Sequence, residues 1–328
     1  MNTLRVGTAL STIVVLQILS AFGVHWYTLA HLGVGAQADA LYAGGTLPQM
    51  AVVLFVEPLG FVLLPFLSSL STADRERVGR PLLCAVAVVS AVVAVVLFLL
   101  APFVVPLLAP GLSAVTAALT VQLAQIQIVG LLGAGCGITL SCLSQAKGRF
   151  LWPALSYLTC ACVGWVLLAV GLNRWGVWLA AWTQVVMVTG PAFLLLPLLR
   201  RTAHGSLADL SPVLKGLWGR MRPLVVSAFY NRTGFMVDRL IASLLAPGSI
   251  AILDLVLRVH SGIGRVLNHG VVTPIIPQMA RLAGARSWHL FDALRRERVW
   301  WMGCLSGGVV LVMGVSVFVL GRLQVVDR

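Results

Sequence analysis

Between Asn231 and His269 the chain carries Arg232, Asp238, Arg239, Asp254, Arg258, His260, Arg265 and His269 in sequence otherwise apolar enough to lie in a lipid bilayer. A charged side chain at the bilayer centre costs roughly 2.5–3.5 kcal/mol on insertion scales, so such a cluster is expected to face a wet cavity or to pair internally. Asp254, Arg258, Ser261, Gly262, Arg265, Asn268 and His269 follow steps of three and four, which places them on one helix face. Arg232 and Arg239 lie about 10 Å apart along a helix axis and share a face, with Asp238 beside them. Two helices that each present two arginines would form a cationic cavity for a phosphate or diphosphate, whose oxygens match the guanidinium fork. The alternative is internal neutralisation, with Asp254 paired to Arg258 one turn on and with Arg239 and Arg265 snorkelling.

Two more acids stand in the first third of the chain. Asp39 follows a glycine-rich stretch and opens an apolar run, where a carboxylate either stabilises a helix N-terminus or serves in gating or cation coupling. Glu57 lies deeper, directly before Pro58. With no local partner in sequence it is expected to be protonated or paired across the bundle, and it is the better candidate for proton or ion coupling.

The elements that must position these groups are membrane helices. Hydrophobic residues make up 59% of the chain and charged residues 10%, against about 25% charged in soluble domains. The net charge of +13 is spread between apolar runs and not gathered on one basic face, which argues against nucleic-acid binding and for a role in orientation. Apolar runs at 6–31, 39–68, 81–108, 114–143, 150–171, 175–199, 222–246, 249–279 and 299–321 predict nine spans, since helices satisfy the backbone within lipid. Basic residues fall in alternate loops. Arg75, Arg77 and Arg80, then Lys147 and Arg149, then Arg200, Arg201, Lys215, Arg220 and Arg222, then Arg281, Arg286, Arg295, Arg296 and Arg298 follow the even-numbered spans. The remaining loops hold only Arg174. The even loops and the N-terminus are therefore expected to be cytoplasmic.

The connection 201–221, with Gly205, Pro212, Gly216 and Gly219, separates an expected six-helix lobe, 1–200, from three further spans in 222–328. It is expected to be either a short amphipathic helix or a plain loop. Pro58, Pro65, Pro102, Pro106, Pro274 and Pro277 fall inside or late in apolar runs, where they kink helices and, in transporters, line cavities. The six cysteines show no paired ligand spacing, so no metal site or cofactor is expected. No phosphate-binding loop or catalytic constellation points to an enzyme.

Several short motifs add a resemblance. Gly33-Val34-Gly35-Ala36-Gln37-Ala38-Asp39-Ala40, then Leu47-Pro48, Glu57 and Pro65, resembles the signature of the MurJ/MviN lipid-linked oligosaccharide flippases. Ala109-Pro110-Gly111-Leu112, Val237-Asp238-Arg239, Gly248-Ser249, Leu257-Arg258 and Pro274 to Pro277 extend it to about Arg281. The resemblance implies an all-α polytopic membrane protein of the multidrug/oligosaccharidyl-lipid/polysaccharide (MOP) exporter type, with one six-helix lobe and a partial second lobe around a cavity. It implies transport of an undecaprenyl-diphosphate-linked glycan, lipid II or a relative, across a bacterial inner membrane for cell-wall or polysaccharide synthesis. Membrane lipids and a coupling cation or proton would be the other partners. On this basis Arg232, Arg239, Arg258 and Arg265 are the expected substrate-binding residues, and Asp39, Glu57, Asp238 and Asp254 the coupling or gating residues. The family's cationic positions in the first two helices fall at Ile18, Val24 and Val52, all apolar here, although His25 adjoins one of them. Three spans also follow the lobe boundary where the family has six or more. A non-transporting membrane partner, or an exporter of another polysaccharide-lipid or small molecule, are the rival expectations.

Overall fold

The computed structural model describes residues 3–201, 211–267 and 287–293, with isolated positions up to 307. All regular structure among them is helical: α1 (Thr3–Leu32), α2 (Ala36–Gly44), α3 (Thr46–Ala51), a π-helical segment (Val52–Val56), α4 (Glu57–Ser69), α5 (Thr72–Leu108), α6 (Ala114–Ile128), α7 (Gly130–Ala146), α8 (Leu151–Leu195) with a 3-10 tail (Leu196–Arg201), α9 (Ser211–Ser243) and α10 (Ser249–Leu267). Five runs are long and apolar enough to cross a membrane: Thr12–Leu32, Ala36–Ser69, Thr72–Leu108, Ala114–Ala146 and Leu151–Leu198.

The fifth of these runs is two spans. Gly176 adopts φ 52°, ψ −137°, a left-handed conformation that suits glycine, and the helix reverses there. The two limbs then pack back to back. A Cβ on Gly164 would lie 3.0 Å from Met187 Sδ, and one on Gly190 would lie 2.5 Å from Cys160 Sγ. Small residues at such crossings let backbones approach, which is how helices associate where lipid gives no hydrophobic drive. The expected spans 150–171 and 175–199 correspond to these limbs. The eighth expected span is described as far as Leu267, and the ninth lies outside the described residues, as do Pro274, Pro277, Arg281 and Arg286.

Sequence chemistry sets the helix ends and breaks. The hydroxyl of Ser71 accepts from the Asp74 amide at 3.2 Å and donates to its carboxylate at 2.6 Å, capping α5; Ser113 caps α6 through the Thr116 amide at 3.3 Å. In the second span, Pro58 has no N–H to offer and its ring crowds the carbonyl a turn earlier. The helix widens to a π turn just before it, and the Glu57 amide reaches back to the Val52 carbonyl. Along α5, Val88, Val92, Val95, Leu99, Phe103 and Leu107 form an exposed apolar stripe, the pattern of a lipid-facing surface.

The chain divides into a larger unit, Leu16–Leu257, and a smaller one, Met1–Val15 with Arg258–Arg328. In the larger unit, one core joins Leu29, Leu41, Tyr42, Leu123, Leu168 and Leu172 to Ala242, Ile250 and Ala251 of α9 and α10. A second core at the other end joins Leu63, Leu67, Leu82 and Leu143 to Leu217 and Met221 of α9. The part of the 201–221 connection from Ser211 onward is therefore helical and continuous with the seventh span, with Leu217 and Met221 in this core and α9 packed on α4 and α5. In the smaller unit the Ser261 hydroxyl donates to the Arg258 carbonyl at 3.1 Å, and an exposed Arg295–Asp292 pair spans 3.2 Å.

The loops sort by charge. The loops poor in Lys and Arg meet at one end, where the Gly111 amide donates to the Ser243 hydroxyl at 3.3 Å. At the other end Arg75 donates to the carbonyls of Leu67 at 2.8 Å, Leu70 at 3.0 Å and Ala146 at 2.8 Å, closing the last turns of α4 and α7. Lys147 pairs with Glu76 at 3.6 Å beside it.

Candidate functional site

Among the described Asp, Glu, His, Lys and Arg side chains, four are buried: His25, Asp39, Arg239 and Asp254. All four lie in the larger unit toward the arginine-poor end, around α2 and the turn from α9 to α10.

Asp39 lies in the first turn of α2, yet α2 receives no side-chain cap. The carboxylate instead accepts the Gly248 amide through Oδ2 and the Ala251 amide through Oδ1 at 2.9 Å, so the helix start it holds is that of α10. The reason is electrostatic. The first amides of a helix lack internal partners and carry the positive end of its dipole, which a carboxylate complements. Gly248 makes the approach possible: its φ of 99° is left-handed, and a Cβ there would collide with the Val34 side chain.

One turn along α2, the Tyr42 carbonyl accepts Arg239 Nη1, while Arg239 Nη2 pairs with Asp254 Oδ1. The two charged side chains are 2% and 4% exposed. In such surroundings an ion pair persists through close geometry and further hydrogen bonds, and removing either partner strands a buried charge. Around them the Tyr42 hydroxyl donates to the His25 carbonyl at 3.4 Å, the His25 and Tyr42 rings stand 5.9 Å apart, and Gln127 Nε2 donates to the Leu41 carbonyl at 3.1 Å. The stretch Asp39–Tyr42 thus joins α1 and α6 to α9 and α10. It is a latch built from charge and backbone polarity, and such contacts can be exchanged for water or for a ligand.

The other expected site residues are placed as follows. Arg232 is half-buried, with its guanidinium 5.6 Å from the Phe235 ring centre and no carboxylate in ion-pair range among the described residues; the Arg239 guanidinium lies 4.9 Å from the centre of the same ring, so one phenyl ring serves both. Asp238 is exposed. Asp254 pairs with Arg239, a partner that helical spacing within α10 did not offer. Arg258 is half-buried one turn further along α10, and Arg265 lies in the last turn of α10 with its side chain outside the described residues. The side chain of His260 and the whole of His269 are likewise outside them. Glu57 is exposed at the start of α4, immediately after the π turn. Val24 is packed into the apolar core at 2% exposure, while Ile18 and Val52 are partly buried. No group of His, Cys, Asp and Glu among the described residues is arranged to hold a metal ion.

Sequence reasoning did not single out Tyr42, Gly248 and Ala251 as partners, because they act through backbone groups that carry no side-chain signature. Phe235 was missed as well. Its spacing of three from Arg232 and four from Arg239 was the available signal.

The chain is thus a multi-pass helical membrane fold with a charged latch between helices. Three solved structures share the helical fold. They are lipid II flippase MurJ in an inward closed conformation (TM-score 0.68, 15% identity, 87% of this chain and 61% of that one), an inward-facing multidrug resistance MATE family transporter of the MOP superfamily (0.65, 13%, 90% and 69%), and a MATE transporter from Vibrio cholerae (0.64, 16%, 88% and 68%). The model of the lipid II flippase MurJ family matches residues 29–323, and the chain belongs to that family. It spans 61% of the length of the MurJ structure. No curated protein matches it significantly by sequence.

Proposed function

We propose that this protein moves an anionic lipid-linked glycan, an undecaprenyl-diphosphate-linked precursor of the lipid II kind, across the bacterial inner membrane. The observation that carries the reading is Arg232. This arginine is half-buried on α9, with no carboxylate in ion-pair range among the described residues and its guanidinium against the Phe235 ring. A half-buried cation without a carboxylate partner in an apolar bundle is costly unless it serves a polar ligand or pathway. Arg258 and Arg265, seven apart in the sequence of α10, are a second candidate guanidinium pair for a diphosphate. Arg239 belongs to the latch in this conformation and joins the substrate-binding set when the latch opens.

Asp39, Asp254 and Asp238, which precedes Arg239 on α9, then act as gating residues. Glu57, exposed next to the π turn, is the candidate for coupling to a proton or cation. The N-terminus and the arginine-rich end would face the cytoplasm, which places the latch on the outer side. No covalent chemistry is needed. Val24, packed in the core where the family has a cation, favours a second reading: a chain that holds its anion from one side only and exports a different lipid-linked glycan, or binds without transporting.

Complementation of a flippase-depleted strain tests the assignment. Growth is expected to be restored by the wild-type chain and by Arg286→Ala, and lost with Arg258→Ala. Failure of the wild type despite normal membrane insertion would sink the lipid II assignment, and equal behaviour of the two variants would remove Arg258 from the site.

A further inference from the structure

We infer that Phe235 is a positioning residue that couples anion binding at Arg232 to release of the latch at Arg239 and Asp254. The inference rests on the anionic-lipid reading above and adds to it a route by which the bound head group is sensed.

Three observations carry it. First, Arg232, Phe235 and Arg239 occupy consecutive turns of one face of α9, and both guanidinium groups lie against the same ring, at 5.6 Å and 4.9 Å from its centre. Second, the two arginines differ in surroundings: Arg239 is buried on Asp254 and the Tyr42 carbonyl, whereas Arg232 is half-buried and reachable. Third, α9 is fixed at both ends, by Leu217 and Met221 in one core and by Ala242 in the other. Its middle is where a ligand can change the balance of forces without undoing the packing.

The sign of the coupling follows from charge. With no anion present, Arg232 adds positive potential near Arg239 and holds that guanidinium toward Asp254. A diphosphate bound at Arg232 reverses the local potential and competes with Asp254 for Arg239. The phenyl face, attractive to either cation, is the surface along which the Arg239 guanidinium leaves its carboxylate without entering an apolar void. Loss of the Arg239 contacts frees the α9–α10 turn from Tyr42, and the Asp39 hold on the Gly248 and Ala251 amides loosens with it. Because coupling is reciprocal, opening the latch raises affinity for the anion by the same factor.

The test uses the full chain in lipid nanodiscs, with farnesyl diphosphate as the probe and farnesol as the uncharged control. Amide hydrogen exchange of the segment containing Gly248 and Ala251 reports the latch. In the wild type, saturating diphosphate is expected to raise exchange there by roughly tenfold, the size of a typical coupling, while farnesol leaves it unchanged. Phe235→Leu is expected to weaken diphosphate binding by no more than roughly threefold, the loss of one exposed cation–π contact, and to abolish the exchange response. Phe235→Tyr keeps the ring and is expected to keep the response. A Phe235→Leu chain that binds and responds like the wild type overturns the coupling, as does a wild type that binds the diphosphate without any rise in exchange. A wild type that binds farnesyl diphosphate no better than farnesol overturns the anionic-substrate reading itself.

Discussion

The two ends of α9 are attached to the first six spans by different means. At the arginine-rich end the attachment is apolar, with Leu217 and Met221 inserted among Leu63, Leu67, Leu82 and Leu143. At the arginine-poor end Ala242 also packs in a core, but the specific contacts are polar: Arg239 to Asp254 and Tyr42, Asp39 to the start of α10, and Ser243 to Gly111. Apolar packing is short-ranged and indifferent to ligands, so the first end suits a pivot. Charge and orphaned backbone amides can be re-partnered by water, ions or substrate, so the second end suits a gate. Under the transport proposed above, this asymmetry names the attachment that would break in each cycle.

Removing Asp254 should separate the two ends most sharply. Asp254→Ala leaves Arg239 buried without its carboxylate, and the expected cost is about 3–5 kcal/mol, read as a lowered midpoint of thermal unfolding in detergent. The paired change Arg239→Leu with Asp254→Leu should recover most of that loss while leaving a gate that no longer responds to substrate. If the double variant is as unstable as the single one, the pair is valued for shape and not for charge. Leu217→Ala at the pivot comes next, at about 2 kcal/mol for a buried leucine, and its effect should be indifferent to salt and to added diphosphate. A Leu217→Ala defect that diphosphate relieves would mean that the inner attachment also opens with substrate.

Much of this organisation was legible in the sequence. Apolar run lengths marked the described helices, alternate loop charge sorted them into two ends, and the reversal at Gly176 falls just inside the run expected at 175–199, two residues after Arg174. Pro58 announced a break in the second span, which the structure resolves as a π turn at Val52–Val56. The pairing at the latch was less legible. Asp254 had a ready partner by helical spacing in Arg258, whereas its contact with Arg239 depends on how tightly the Leu244–Gly248 turn folds α10 back on α9. Asp39 carried a recognisable helix-capping signature, but nothing local could show that the capped helix begins more than 200 residues later, since the groups it meets are backbone amides. Side-chain pattern identifies which residues are charged in an apolar span; only the fold determines which backbone they reach.

Asp39→Asn gives a smaller and more selective perturbation. The amide side chain keeps an oxygen for one of the two backbone donors but loses the charge that complements the positive end of α10, so the expected loss of stability is about 1 kcal/mol. Hydrogen exchange should rise at Gly248 and Ala251 while the amides around Leu217 stay as protected as before. Should both regions loosen together, the two ends of α9 would form a single cooperative unit, and the division into pivot and gate would fail.

Ser243→Ala is the mildest test of the same division. The Ser243 hydroxyl accepts the Gly111 amide and donates to the Leu240 carbonyl at 2.7 Å, so its removal costs Gly111 an acceptor and relieves Leu240 of a second donor. The expected net effect is about 0.5–1 kcal/mol. Its value lies in direction. Gly111 belongs to the loop after α5 and Asp39 to α2, so a gate made of independent polar contacts predicts that Ser243→Ala and Asp39→Asn add in a double variant. A shortfall from additivity would show that the α5–α6 loop and α2 release the α9–α10 turn as one body, and the gate would then have a single opening step.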